Sequence, residues 1–189
     1  MIKDLLLKNR SYRRFRGEVA VDLKVLEELV DLARFCPSAA NLQPLRYILS
    51  CETKKNALIF PHLKWAGYLK DWPGPKKEER PAAYIIILSD KEIKRAYNCD
   101  HGIAAQSILL GAVERGLGGC MIGSIDRNGL RKALNILQRY EIMLVLALGK
   151  PNETVILEDV DSSGNIKYWR DEKNRHHVPK RKLAEIIIR

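Results

Sequence analysis

The side chains that most often perform chemistry unaided are arranged in no pattern that would let them do so. His62 and His101 are isolated and His176 and His177 are adjacent, so no metal-ligand spacing recurs. Cys36, Cys51, Cys99 and Cys120 lie far apart with no C-x-x-C pair, which disfavours a zinc site or disulfide framework and favours free, mostly buried thiols. Ser107 and Ser124 have no recognisable base, and the chain holds no P-loop, nucleophile elbow or H-E-x-x-H motif. What it offers instead is positive charge. Lys and Arg total 33 against 23 acids, a formal net charge of +10. One cluster is "RSYRR" near the N-terminus; between Lys167 and Lys182, seven basic residues face two acids, half of the excess. Such clusters suit nucleic acid or a ligand phosphate, although any single Lys or Arg is most often just solvated. Basic clusters without an acid–base constellation suggest that a bound cofactor carries the chemistry.

Two loops could shape a site for it. "PSAANLQP" (Pro37 to Pro44) spends eight small or amide-bearing residues between two prolines where a tight turn would do, so it is a stiff connector or a wall for a flat ligand. "GLGGCMIG" (Gly116 to Gly123) lacks the glycine that a dinucleotide fingerprint requires at Met121 and follows a helix rather than a strand. Its glycines allow positive φ and could present backbone N–H groups; a helix C-cap and turn accounts for some of them equally well.

The elements that must position these pieces read as α+β. Leu5 to Leu7 is helical. Asp22 to Cys36 predicts a helix with Asp22 as N-cap and Leu23, Leu26, Leu29, Val30 and Ala33 on one face. "RYILSC" predicts a strand, "PHLKWAGYLKDW" a short helix running into an exposed loop, and "AAYIIILS" a strand buried on both faces. Asp100 to Arg115 should be the central core helix; Asp126 caps a short helix, and "EIMLVLALGKP" is another buried strand. After Pro151 the chain shows little periodicity until "KLAEIII", and a tail of that length should pack on something, a partner subunit being a natural choice. The 189 residues fit a single domain, with residues 151–189 as a C-terminal extension. No stretch reaches the roughly 18 apolar residues of a membrane span and no signal-peptide cleavage site is present, so a soluble cytoplasmic protein is expected.

Taken together, "RSYRRF" (Arg10 to Phe15), "PSAANLQP", "DHGIAAQSILLGAVERGLGGCMIG" (Asp100 to Gly123) and "ALGKP" (Ala147 to Pro151) resemble the FMN-dependent nitroreductase family, in the family's order. The resemblance implies an α+β sandwich with a central, mostly antiparallel sheet flanked by helices, in an intertwined homodimer with two FMN sites at the interface. It implies that Pro37, Ser38, Ala39, Asn41 and Gln43 touch the flavin of the partner subunit. Arg10 and Ser11 would grip the phosphate and ribityl chain, Arg13 would face the flavin pyrimidine edge, and the backbone around Met121, Ile122 and Gly123 would reach flavin N5. Lys180 or Arg181 would complete the phosphate site. Two departures stand out: Asn9 replaces a basic residue that many members carry before Arg10, and the long mid-domain insertion is missing. "HLKWAGYLKDW" is the candidate lid, with Trp65, Tyr68 and Trp72 on the substrate side or simply packing the dimer surface.

The activity so implied is a ping-pong oxidoreductase that takes hydride from NAD(P)H and passes electrons to a nitroaromatic or quinone-type acceptor, with no catalytic side chain. Related branches cleave reduced flavin or dehalogenate aromatics, so the family does not fix the acceptor. A non-catalytic or flavin-processing role is the runner-up. A nucleic-acid-binding protein is the rival class, but it leaves both loops idle and shows no aromatic-interleaved basic stripe.

Overall fold

The computed structural model describes residues 1–93 and 99–188. Its elements are helix α1 (Ile2–Lys8), α2 (Leu23–Arg34), strand β1 (Leu45–Ser50), α3 (Thr53–Ile59), β2 (Ala83–Asp90), α4 (Asp100–Glu114), β3 (Gly118–Ile122), α5 (Arg127–Ala133) and β4 (Tyr140–Gly149). The tail adds β5 (Val155–Asp159), β6 (Trp169–Arg170), β7 (His176–Lys180) and α6 (Leu183–Ile186).

Strands β1–β2–β4–β3 form one antiparallel sheet in that order. Period-two alternation divides β2 between two cores. Ile85 and Ile87 face Leu26, Leu29 and Ala33 of α2 and Ala105, Ile108 and Ala112 of α4, whereas Tyr84, Ile86 and Leu88 face Ile59, Leu130 and Trp65 on the other side. The sheet is therefore a middle layer with helices on both faces, which is why "AAYIIILS" is apolar at nearly every position and why every residue of β2 is buried. The expected α+β sandwich and antiparallel sheet are present. Helix α4 is a core helix along one face only; Ile103 on its opposite face is exposed.

Several local expectations need correction. Leu23 is exposed, so the buried face of α2 begins at Leu26. Asp22 sits at the N-cap without a side-chain hydrogen bond, whereas Asp126 does cap α5 by accepting from the Gly129 N–H at 3.0 Å. "PHLKWAGYLKDW" is not a helix beyond a single 3₁₀ turn at Phe60–His62, because Leu63 is already extended and bridges to Ile125, and the chain turns again at Ala66 with φ 40°. Of the cysteines only Cys120 is buried; Cys99 is exposed. The tail, which looked aperiodic, forms a second sheet in the order β5–β7–β6, with β5 and β7 parallel. Parallel pairing needs a long crossover and β6 is only two residues long, so neither leaves a periodic signature. Among the described residues no helix is long and apolar enough to cross a membrane.

Candidate functional site

The first basic motif runs alongside β3 and then along the exit of β4. Ser11 pairs with Gly119 as a parallel bridge, the Tyr12 N–H donates to Gly119 O at 3.0 Å, and Phe15 pairs with Pro151. Phe15 is fully buried and anchors the segment. This close approach explains two of the glycines in "GLGGCMIG". A Cβ on Gly118 would lie 2.5 Å from Tyr12 Cδ2, and one on Gly119 would lie 2.6 Å from Ala147 O. Positive φ is needed only at Gly116, at the end of α4; the rest of the motif is strand rather than an anion-cradling loop.

The tail locks onto the same motif through Glu153, whose side chain is 2% exposed. Its Oε1 accepts from the backbone N–H of Arg13 and, at 3.2 Å, from that of Arg14, while Oε2 accepts from Arg170 Nη2 at 3.0 Å. The Arg13 guanidinium donates to Ser11 O at 3.2 Å, approaches His176 Nε2 at 3.2 Å and lies over the Tyr168 ring. Burial and the nearby cations Arg13, Arg170, His177 and Arg14 hold His176 down at about 4, so the ring is neutral near pH 7.

Between motif, β3, α4 and β7 lies a cleft of about 370 Å³. Among the residues lining it are Arg10, Ser11 and Arg13, Met121 of β3, and Lys180 and His176 of β7. Among the described residues its lining includes three permanent cations and no carboxylate, so it favours an anion. Arg10 Nη2 donates to Leu6 O at 2.6 Å, yet Arg10 Nε is buried without a partner among the described residues, as is His176 Nδ1. Buried donors without acceptors fit a ligand that brings oxygen atoms.

Five of the expected site residues thus meet in one cleft: Arg10, Ser11, Arg13, Met121 and Lys180. Arg181 does not line it; its guanidinium is 3.8 Å from Glu185. Ile122 packs its side chain into the core, and Gly123 follows the strand beyond the cleft. Pro37, Ser38 and Gln43 line a different pocket, of about 310 Å³, that shares no residue with the cleft; Ala39 and Asn41 line neither. Their loop is an unusually shaped one. Ala40, Asn41 and Gln43 hold φ of 52°, 53° and 49°, each costing about 1–2 kcal/mol outside glycine. Ser38 holds it in place by donating to Asp100 Oδ2 at 2.7 Å and accepting from the Gln43 N–H at 3.0 Å.

Of the aromatic segment, Trp65 is only 9% exposed and belongs to the core, and Trp72 lies beneath Arg14 and Arg170. Tyr68 alone is half exposed, and it packs on Tyr168, which lines the cleft. The sequence reading missed Tyr168, His176 and Glu153. The first two follow the basic pattern of the tail without standing out from it, and Glu153 carries no signal beyond standing two residues after "ALGKP".

Comparison with known proteins bears on the family and the fold. The nitroreductase family model matches residues 6–150. YodC of Bacillus subtilis (strain 168), named provisionally as an NAD(P)H nitroreductase, is 22% identical over 186 aligned positions, covering 78% of this chain and 88% of YodC. The structure of an FMN-dependent nitroreductase from Clostridium difficile R20291 superposes with a TM-score of 0.66 at 26% identity, covering 81% of this chain and 88% of that one. A nitroreductase family protein from Streptococcus pneumoniae TIGR4 gives 0.70 at 17% identity, with both chains fully covered.

Proposed function

Because this chain belongs to the nitroreductase family, we propose that it is a flavin oxidoreductase that holds FMN in the cleft between the first basic motif, β3 and β7. The observation that carries this reading is the composition of that cleft among the described residues: three cations, two buried N–H donors without partners, and no carboxylate lining it. FMN held there would supply a two-electron carrier between NAD(P)H and a small electron-poor acceptor of nitroaromatic or quinone type.

The residues of the chain bind, orient and balance charge. Arg10 and Lys180 supply the cations for the phosphate, and a guanidinium fork matches phosphate oxygens. Ser11, held by its bridge to Gly119, lines the cleft next to Arg10. Arg13 brings a positive charge that offsets the negative charge gained by the cofactor on reduction. Backbone N–H groups of β3 around Met121, the residue of that stretch that lines the cleft, serve the reacting edge, and no side chain acts as a nucleophile. Tyr168 and Tyr68 form an aromatic surface beside the cleft for a planar acceptor. The Pro37 to Gln43 loop serves the partner's cleft in a homodimer, which accounts for its lining a separate pocket in the single chain. Leu183, Ile186 and Ile188 of the tail end are exposed in the single chain and pack on that partner.

The rival reading, nucleic-acid binding, loses ground because three of the seven basic residues of the tail are already paired: Arg170 with Glu153, Arg175 with Asp171 and Arg181 with Glu185. The test is optical. Purified protein supplied with FMN should show a bound-flavin spectrum that bleaches under anaerobic NADH or NADPH and recovers on addition of a quinone. A protein that binds no FMN, or whose flavin neither nucleotide bleaches, would contradict the reading.

A further inference from the structure

His176 opens β7 at 1% exposure, with Tyr168 packed on its ring at 5.2 Å between centroids. Its two ring nitrogens have different surroundings. Nε2 lies 3.2 Å from Arg13 Nη1, and a guanidinium nitrogen can only donate, so Nε2 must accept. A neutral imidazole that accepts through Nε2 carries its proton on Nδ1. The surroundings enforce the neutral form: Arg13, Arg14, Arg170 and His177 all oppose a further positive charge, and burial adds to them. Glu153, the acid serving this cluster, is already engaged by Arg13, Arg14 and Arg170. Nδ1–H is thus a donor fixed in tautomer, buried in the wall of an anion-favouring cleft, and without a partner among the described residues.

We propose that His176 is a ligand-binding residue whose Nδ1–H is kept for an anionic oxygen of the cofactor, while its Nε2 positions the Arg13 guanidinium. The proposal rests on the FMN reading above. Both the phosphate and the pyrimidine edge of FMN present such an oxygen, and the two are separable by experiment. A purely structural histidine would instead leave the ligand untouched.

Flavin-free protein would be titrated with FMN and with riboflavin, and the midpoint potential of bound flavin measured, for wild type, His176→Phe and His176→Gln. Phenylalanine keeps a ring against Tyr168 but has no polar atom; glutamine can accept from Arg13 and still donate. His176→Phe should weaken FMN binding about ten- to hundredfold, the effect of one hydrogen bond to a charged acceptor, and His176→Gln should recover most of it. A loss confined to FMN identifies the phosphate as acceptor, whereas a parallel loss of riboflavin with a lowered potential identifies the ring. Unchanged affinity and potential in His176→Phe would overturn the proposal while leaving the FMN reading intact; a wild type that binds no FMN would defeat both. A second readout needs no variant to fold. In the ¹⁵N spectrum of wild type at pH 7, His176 should show a protonated Nδ1 and a bare Nε2, with the Nδ1 resonance displaced by FMN. An Nε2-protonated ring, or an imidazolium, would overturn the assignment.

Discussion

Replacing Glu153 by alanine should damage fold and site together. The carboxylate is almost fully buried and accepts from two backbone N–H groups and one guanidinium, so it ties the tail to the first basic motif. Its removal leaves Arg170, whose side chain is 10% exposed and whose Nε already lacks a partner, as a buried cation without a counter-charge. Breaking a buried pair from one side costs about 3–5 kcal/mol, a large share of the roughly 5–15 kcal/mol that holds a domain folded. Glu153→Gln keeps an oxygen for the two backbone donors but loses the charge and the acceptor facing Arg170, so it should cost less than alanine, about 1.5–3 kcal/mol. Urea denaturation at one fixed protomer concentration measures both, and FMN titration of the folded fraction should show weaker binding because Arg13 loses its backbone anchor. A loss below about 1 kcal/mol for Glu153→Ala would show that water replaces the carboxylate without penalty, refuting the clamp.

Arg13→Gln should lower the midpoint potential of bound flavin and slow its reduction by NAD(P)H more than it weakens FMN binding, because its charge favours the reduced form; an unchanged redox titration would assign that role to another group. The pH dependence of stability should carry the signature of His176. Its folded value is held at about 4 against 6.5, so the unfolded chain binds more protons in between; its contribution is complete above pH 6.5 and is lost as pH falls towards 4. His177 runs the opposite way, raised by its hydrogen bond with Glu158, and contributes fully only below 6.5. Urea midpoints at pH 7 and pH 5 should therefore drop further in wild type than in His176→Gln, and equal drops would refute the assignment. Truncation after Lys182 removes the exposed Leu183, Ile186 and Ile188 while sparing Glu153, His176 and Lys180. Sedimentation should show a weakened dimer, and an unchanged one would separate the tail end from the subunit interface.

The layered fold was legible in the sequence because burial writes itself into periodicity. "AAYIIILS" could only be a strand covered on both faces, and the leucines of α2 and small residues of α4 marked the helices that cover one of them. The cationic half of the site was legible for another reason: Arg10, Ser11 and Arg13 share one short segment, so their proximity needed no folding to predict. What stayed hidden depends on long-range pairing. Glu153 reaches Arg13 only because the exit of β4 runs beside the first motif, and His176 reaches it only because β7 pairs in parallel with β5. The part that packing plays in the glycines of "GLGGCMIG" was hidden for a related reason. Gly118 and Gly119 are small so that Tyr12 and the neighbouring strand can approach, a demand set by partners remote in sequence.

The central claim, that the cationic cleft is the FMN site, is tested most directly by equilibrium titration of flavin-free protein with FMN, followed by quenching of flavin fluorescence, in wild type and in an Arg10→Ala, Lys180→Ala double variant. With one such cleft described per chain, the account predicts tight binding at one FMN per chain in wild type. Loss of two charge-assisted contacts, each about 1.5–3 kcal/mol, should weaken it at least about a hundredfold in the double variant. Binding of equal strength in the two proteins would place the cofactor elsewhere and contradict the account.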